Sequence, residues 1–216
     1  MTDSLVRQEV STTERAQLYA AFPTVASADL EVVIWMLPTS REVAVPGGKS
    51  YPVKSLLSAD AEEVLLAGSL VRVPGRVYFA EPVAGAEQVL TGRQQQVLHS
   101  IYLRHHEGYV RQRRLEQLLA TPVEAFTVPF TFSLIGDYVK EILEVLEGAL
   151  TPELLPVYIE FIRENPLYWQ RTKGRVASYW NVYYRWRGAR HFRYYVGARL
   201  LARLQQACRL AGITNK

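Results

Sequence analysis

A chain of 216 residues, 49% apolar and 21% charged, is long enough to bury a full core and too apolar to be disordered. Its one cysteine, Cys208, excludes an internal disulfide, and the longest apolar run, Leu30 to Leu37, is too short to span a bilayer. The net charge of +4 conceals a polarity: residues 165–216 hold eleven Lys or Arg and no Asp or Glu, against fourteen basic and twenty-one acidic residues before them.

The N-terminus is polar from its second residue, so no signal peptide is expected and the expected setting is cytoplasmic. Thr12-Thr13-Glu14 opens a predicted helix that Pro23 closes. Ser27-Ala28-Asp29 caps a second short element with Leu30, Val33, Ile34 and Leu37, whose β-branched residues suit a strand nearly as well. Residues 41–54 predict a hairpin around Pro46-Gly47-Gly48-Lys49. A second hairpin is expected over 70–80, with Leu70–Val73 joined to Arg76–Ala80 at Pro74-Gly75. Between them, Ser58-Ala-Asp-Ala-Glu-Glu63 reads as a helix start with an acidic first turn. Residues 1–90 are therefore expected to form a mixed α/β or β-ribbon element.

Residues 91–216 are expected to form a helical domain. Arg93–Arg104 carries Val97 and Ile101 on one face, and Tyr109–Ala120 carries Val110, Leu115 and Leu118. A helix from Pro129 to Leu150 buries Ile135, Val139, Ile142 and Leu146 and wets Asp137, Lys140, Glu141, Glu144 and Glu147. Pro156 to Glu164, Leu167 to Trp186 and Phe192 to Leu210 complete the set. The fold class is mainly α.

Tyr109, Tyr138 and Tyr168 each follow an apolar helix and a short polar turn, spaced 29 and then 30 positions apart. Gly108-Tyr-Val-Arg-Gln-Arg-Arg-Leu-Glu-Gln-Leu-Leu119 resembles the second helix of a HEAT-type repeat. The resemblance covers about residues 90–180 and implies stacked helical hairpins, an α-solenoid-like array. Gly136-Asp137 departs from the pattern, since a single helix would continue there. A plain helical bundle accounts for the same residues.

No cofactor, metal or catalytic residue is assigned. Gly47-Gly48-Lys49-Ser50 ends like a phosphate-binding loop, but Val43 stands where that motif needs glycine, and a hairpin turn explains the glycines. His99, His105 and His106 lack the spacing of a metal pair and read as surface or helix-end histidines. Cys208 reads as a small buried side chain with no partner base. The acids of 137–164 read as a solvated helix face.

The carboxylate-free end carries the functional reading. Arg171, Arg175, Arg185, Trp186, Arg187, Arg190 and Arg193 are the candidate macromolecule-binding residues, interleaved with ten aromatics between Tyr168 and Tyr195. Three fates are open to these cations: pairing with the 137–164 acids, a protein partner of acidic character, or nucleic-acid phosphates. The favoured expectation is a non-catalytic protein-binding or scaffolding module. A nucleic-acid-binding protein is second and an enzyme of unrecognised type third.

Overall fold

The structure is a computed structural model and describes residues 9–45 and 48–213. Helix α1 (Thr12–Ala21) begins at Ser11, whose hydroxyl accepts from the Glu14 N–H while the Glu14 carboxylate accepts from the Ser11 N–H. Glu14 is only 1% exposed, and it ties α1 to the following segments. Its carboxylate accepts from Arg41 at 3.0 Å and from the Leu56 N–H at 2.7 Å. Burial alone would raise its pKa; Arg41, the Leu56 N–H and Ser11 together outweigh it and pull the carboxyl down to about 2. The unfolded carboxyl titrates at 4.5. The resulting stabilisation, about 3 kcal/mol, is therefore complete above pH 4.5 and is lost as pH falls through about 2. Urea unfolding of the wild type and Glu14→Gln should show a stability gap at pH 6 that has narrowed strongly at pH 2.

Helix α2 (Ser27–Met36) forms where a strand was nearly as well supported, because Leu30, Val33 and Ile34 bury one helical face. Strands β1 (Glu42–Val45) and β2 (Lys49–Pro52) pair antiparallel as the sequence predicts. The turn residues Pro46 and Gly47 lie outside the described residues. Gly48 has φ +73° and leads into β2, not into the helix a phosphate loop requires.

The second hairpin is not at 70–80, and no helix starts at Ser58. Strand β3 (Ala61–Leu66) pairs with β4 (Ser69–Pro74) through Ala67 and Gly68, with φ of 49° and 75°. Two consecutive left-handed residues are what a tight hairpin turn needs to match strand twist. Val64, Val71 and Val73 are buried, while Glu63 sits opposite Arg72 and pairs with it at 2.6 Å. Arg76–Ala80 instead runs on, with Val77 bridging Leu57 and His105.

The remaining helices are α3 (Gly92–Tyr102), α4 (Gly108–Leu119), α5 (Val128–Ser133), α6 (Lys140–Ala149), α7 (Leu155–Glu164), α8 (Pro166–Tyr179) and α9 (Val196–Leu210). The protein is mainly helical, with two small two-stranded antiparallel sheets near its N-terminus. The helix expected from Pro129 to Leu150 breaks in two. Asp137, 4% exposed, turns inward between α5 and α6 to receive Arg111, and its Oδ1 also accepts the Val139 N–H at 3.0 Å. A charge pair at that point outweighs helix continuity.

One continuous apolar cluster runs from Val10 to Cys208, with Phe132 at the centre of rings from Tyr158, Phe161, Tyr168 and Trp169. The hairpin β3–β4 is fastened to the helices by the α7–α8 junction. Asn165 Oδ1 accepts the Leu65 N–H at 2.7 Å and its Nδ2 donates to Leu65 O at 2.8 Å. The Glu164 carboxylate accepts the N–H groups of Ala67 and Gly68. Of the three recurring tyrosines, Tyr109 is 83% exposed and Tyr168 only 3%. The period therefore marks helix starts and not equivalent surroundings. Among the described residues, no single helix is long and apolar enough to cross a membrane.

Candidate functional site

Helix α8 ends in a π-helical turn, Trp180–Tyr184, instead of running on to Trp186. The chain then reverses at Gly188 (φ 119°) and enters α9 through a single 3₁₀ turn, Phe192–Tyr194. Aromatic groups hold this corner. Trp180 Nε1 donates to Ala189 O at 2.7 Å, and its ring meets Phe192 edge-on at 5.3 Å. Tyr184 stacks on Tyr195 at 4.9 Å, and its hydroxyl donates to Tyr138 O. Burial raises both phenols' pKa values, so these rings stay neutral anchors. Behind them α9 lies close on α8: a Cβ at Gly197 would stand 2.7 Å from Tyr195 Cε1 and 2.8 Å from Val176 Cγ1. Gly197→Ala should cost about 1–3 kcal/mol, read as a lowered urea midpoint.

With the rings turned inward, the cations of the corner face out. The Arg185 guanidinium lies over Trp180 at 5.6 Å and Trp186 at 5.0 Å and donates to Asn181 Oδ1 at 3.1 Å. Arg193 lies over Tyr194 at 4.8 Å and donates to its hydroxyl. Arg187 lines a cleft of about 680 Å³ with Lys140, its partner Glu144, Tyr183, Tyr184 and Arg199. Arg190 is exposed, and Trp186 is 78% exposed. Among the described residues, none of Arg185, Arg187, Arg190 and Arg193 lies within ion-pair distance of a carboxylate.

The other candidates lie elsewhere. Arg171 is exposed, with its charge over the Tyr168 ring at 5.7 Å. Arg175 pairs with Glu62 of β3 and is withdrawn from the corner. Pairing with the 137–164 acids is realised by Arg199, whose two nitrogens each lie 2.6 Å from a Glu147 oxygen. Lys216 lies outside the described residues.

His99 lies in the last turn of α3 as a helix-end histidine, but it and His105 are buried and not on the surface, while His106 is half-buried. His105 is 3% exposed, its Nε2 at 3.1 Å from Phe79 O and its Nδ1 accepting the Glu107 N–H. Burial, then the neighbouring His106 charge, lower it to about 4. His99 is lowered to about 4 by burial and the Arg114 charge. Cys208 is buried in α9, with its thiol pKa raised by that burial. Among the described residues, no group of His, Cys, Asp and Glu could hold a metal ion.

Sequence reasoning passed over three buried arginines. Arg111 is held by Asp137 and by the carbonyls of His105 and His106, and Arg114 by Glu81 and Glu87. Arg104 is buried without an acid. The signal was present in α4: Arg111, Arg114, Leu115 and Leu118 share one stripe at helical spacing, which places cations inside the apolar face. No protein-family model matches the chain, and no curated protein or solved structure matches it either.

Proposed function

We propose that the corner between α8 and α9 is a protein-interaction surface for an acidic partner segment, on a helical scaffold with no catalytic role. One observation carries the reading. Arg185, Arg187, Arg190 and Arg193 stand without carboxylate partners on a loop that Trp180, Tyr184 and Tyr195 hold in place. Interfaces draw their hot spots from Arg, Trp and Tyr, and an ordered loop loses little entropy on binding. The exposed ring of Trp186, with Arg185 above it, supplies the apolar centre such a hot spot needs.

The helical-array reading is supported by α3 packing on α4, α4 on α6 and α6 on α9. The return of α9 onto α7 and α8 favours a closed bundle over an open HEAT-type stack. A nucleic-acid surface has one observation in its favour, the alternation of arginines with exposed rings on which bases stack.

Fluorescence anisotropy with a labelled Glu/Asp-rich peptide and a labelled single-stranded oligonucleotide tests the choice. The expected result is tighter binding of the peptide, with Trp186→Ala weakening it about tenfold or more. Preference for the oligonucleotide, with a log–log salt slope growing with its phosphate contacts, would replace the protein reading by the nucleic-acid one. Binding of neither probe would remove both.

A further inference from the structure

A second recess lies beside α8, away from the arginine loop. Arg76, Arg104, Ser133, Asp137, Arg175 and Tyr179 line a cavity of about 220 Å³. Arg104 is 9% exposed, yet every acceptor it meets is neutral. Its Nε donates to Pro74 O at 2.9 Å, its Nη2 to Gly75 O at 2.6 Å and its Nη1 to Ser133 Oγ at 2.7 Å. A guanidinium has five N–H groups, so one N–H on each terminal nitrogen has no acceptor among these three.

Asp60, Glu62 and Asp137 also line the cavity, and none of the three forms an ion pair with Arg104 or Arg76 among the described residues. Both oxygens of Asp137 are taken by Arg111, at 2.9 and 3.0 Å. Glu62 is held by Arg175 through Oε1, while its Oε2 is buried without a hydrogen-bond partner among the described residues. Asp60, at the exposed rim with its carboxylate against Gly75, pairs with neither Arg76 nor Arg104. Arg76 donates to Gly75 O at 3.0 Å and is likewise without an acid. With Arg111 behind Asp137, four guanidinium groups meet three carboxylates, an excess of one positive charge around the cavity. Burial and the Arg76 charge pull Arg104 down to about 10, as expected of a desolvated cation beside another cation.

An isolated buried charge is unfavourable until an opposite charge joins it. We propose that this cavity is a binding site for the carboxylate of a small organic acid, gripped by Arg104 and Arg76. Two N–H groups on adjacent nitrogens suit a two-pronged carboxylate contact. One negative charge balances the excess, whereas a dianion would bring a surplus toward Asp60. The volume corresponds to about seven water molecules at about 30 Å³ each, enough for an acid of a few carbons. None of these residues belongs to the arginine loop between α8 and α9, so the two sites stand or fall separately.

Isothermal titration of the full chain with sodium lactate, against sodium chloride at equal ionic strength, tests the site. Saturable one-to-one binding is expected, weakened at least tenfold by Arg76→Gln and unchanged by Arg185→Gln. Arg76 is half-buried and its side chain donates only to its neighbour's carbonyl among the described residues, so Arg76→Gln should keep the wild-type circular dichroism. Arg104→Lys retains the charge without the fork and should also weaken binding at least tenfold. Absence of saturable binding by both lactate and acetate would overturn the proposal. So would lactate binding that a folded Arg76→Gln leaves within twofold, or inorganic phosphate binding more tightly than lactate.

Discussion

The triple variant Arg185→Glu, Arg187→Glu, Arg190→Glu should lose binding to an acidic peptide by roughly 100-fold or more at 50 mM salt. The substitutions change the charge of the corner by six units, at about 1 kcal/mol or less for each close charge pair near water. The fold should survive them, because these side chains face outward. Of the three, only Arg185 makes a side-chain hydrogen bond among the described residues, to Asn181, four residues before it on the same turn. Circular dichroism and the urea midpoint should therefore match the wild type while anisotropy reports the loss. Retained peptide binding in the folded triple variant would remove the proposed surface. Raising salt from 50 to 200 mM should weaken wild-type binding in the same direction.

Asp137→Ala should be the most damaging single substitution, lowering the unfolding free energy by about 3–5 kcal/mol. Its carboxylate is the only acid in ion-pair contact with Arg111 among the described residues, and that guanidinium is fully buried. Removing the acid leaves the buried cation with only the carbonyls of His105 and His106 as acceptors among the described residues. It also removes the acceptor for the Val139 N–H, at the start of α6. Replacing both partners, Arg111→Met with Asp137→Ala, should recover much of the loss, since no unpaired charge then remains. Chemical denaturation of the two single variants and the double variant yields the coupling directly.

The mainly helical architecture was legible because its stops are local. Pro23 ends α1 through its own backbone chemistry, and the Glu14 of Thr12-Thr13-Glu14 opens it by a capping box with its neighbour Ser11. The errors arose where a distant partner decided the outcome. Glu62 and Glu63 look like the first turn of a helix, but pairing with β4, which buries Val64 against Val71 and Val73, makes them strand residues. Asp137 looks like part of a wet helix face, but Arg111, 26 positions earlier, draws it inside. The hairpin turn was missed because its first left-handed residue is Ala67, which carries no turn signal of its own. Of the candidate site, the composition identified the stretch, but Arg175 was distinguishable from Arg185 only once β3 was seen to lie against it.

The clamp at Asn165 has a bearing on how the molecule assembles. Leu65 and Asn165 are 100 positions apart, so during synthesis the ribbon emerges long before the amide that fastens it. Until then the Leu65 N–H and C=O stay open, and an open strand edge invites pairing with other chains. Completion of α7 and α8 closes that interval. Asn165→Ala should therefore show itself first as a loss of soluble yield during expression, more than as a change in the finished protein's helix content.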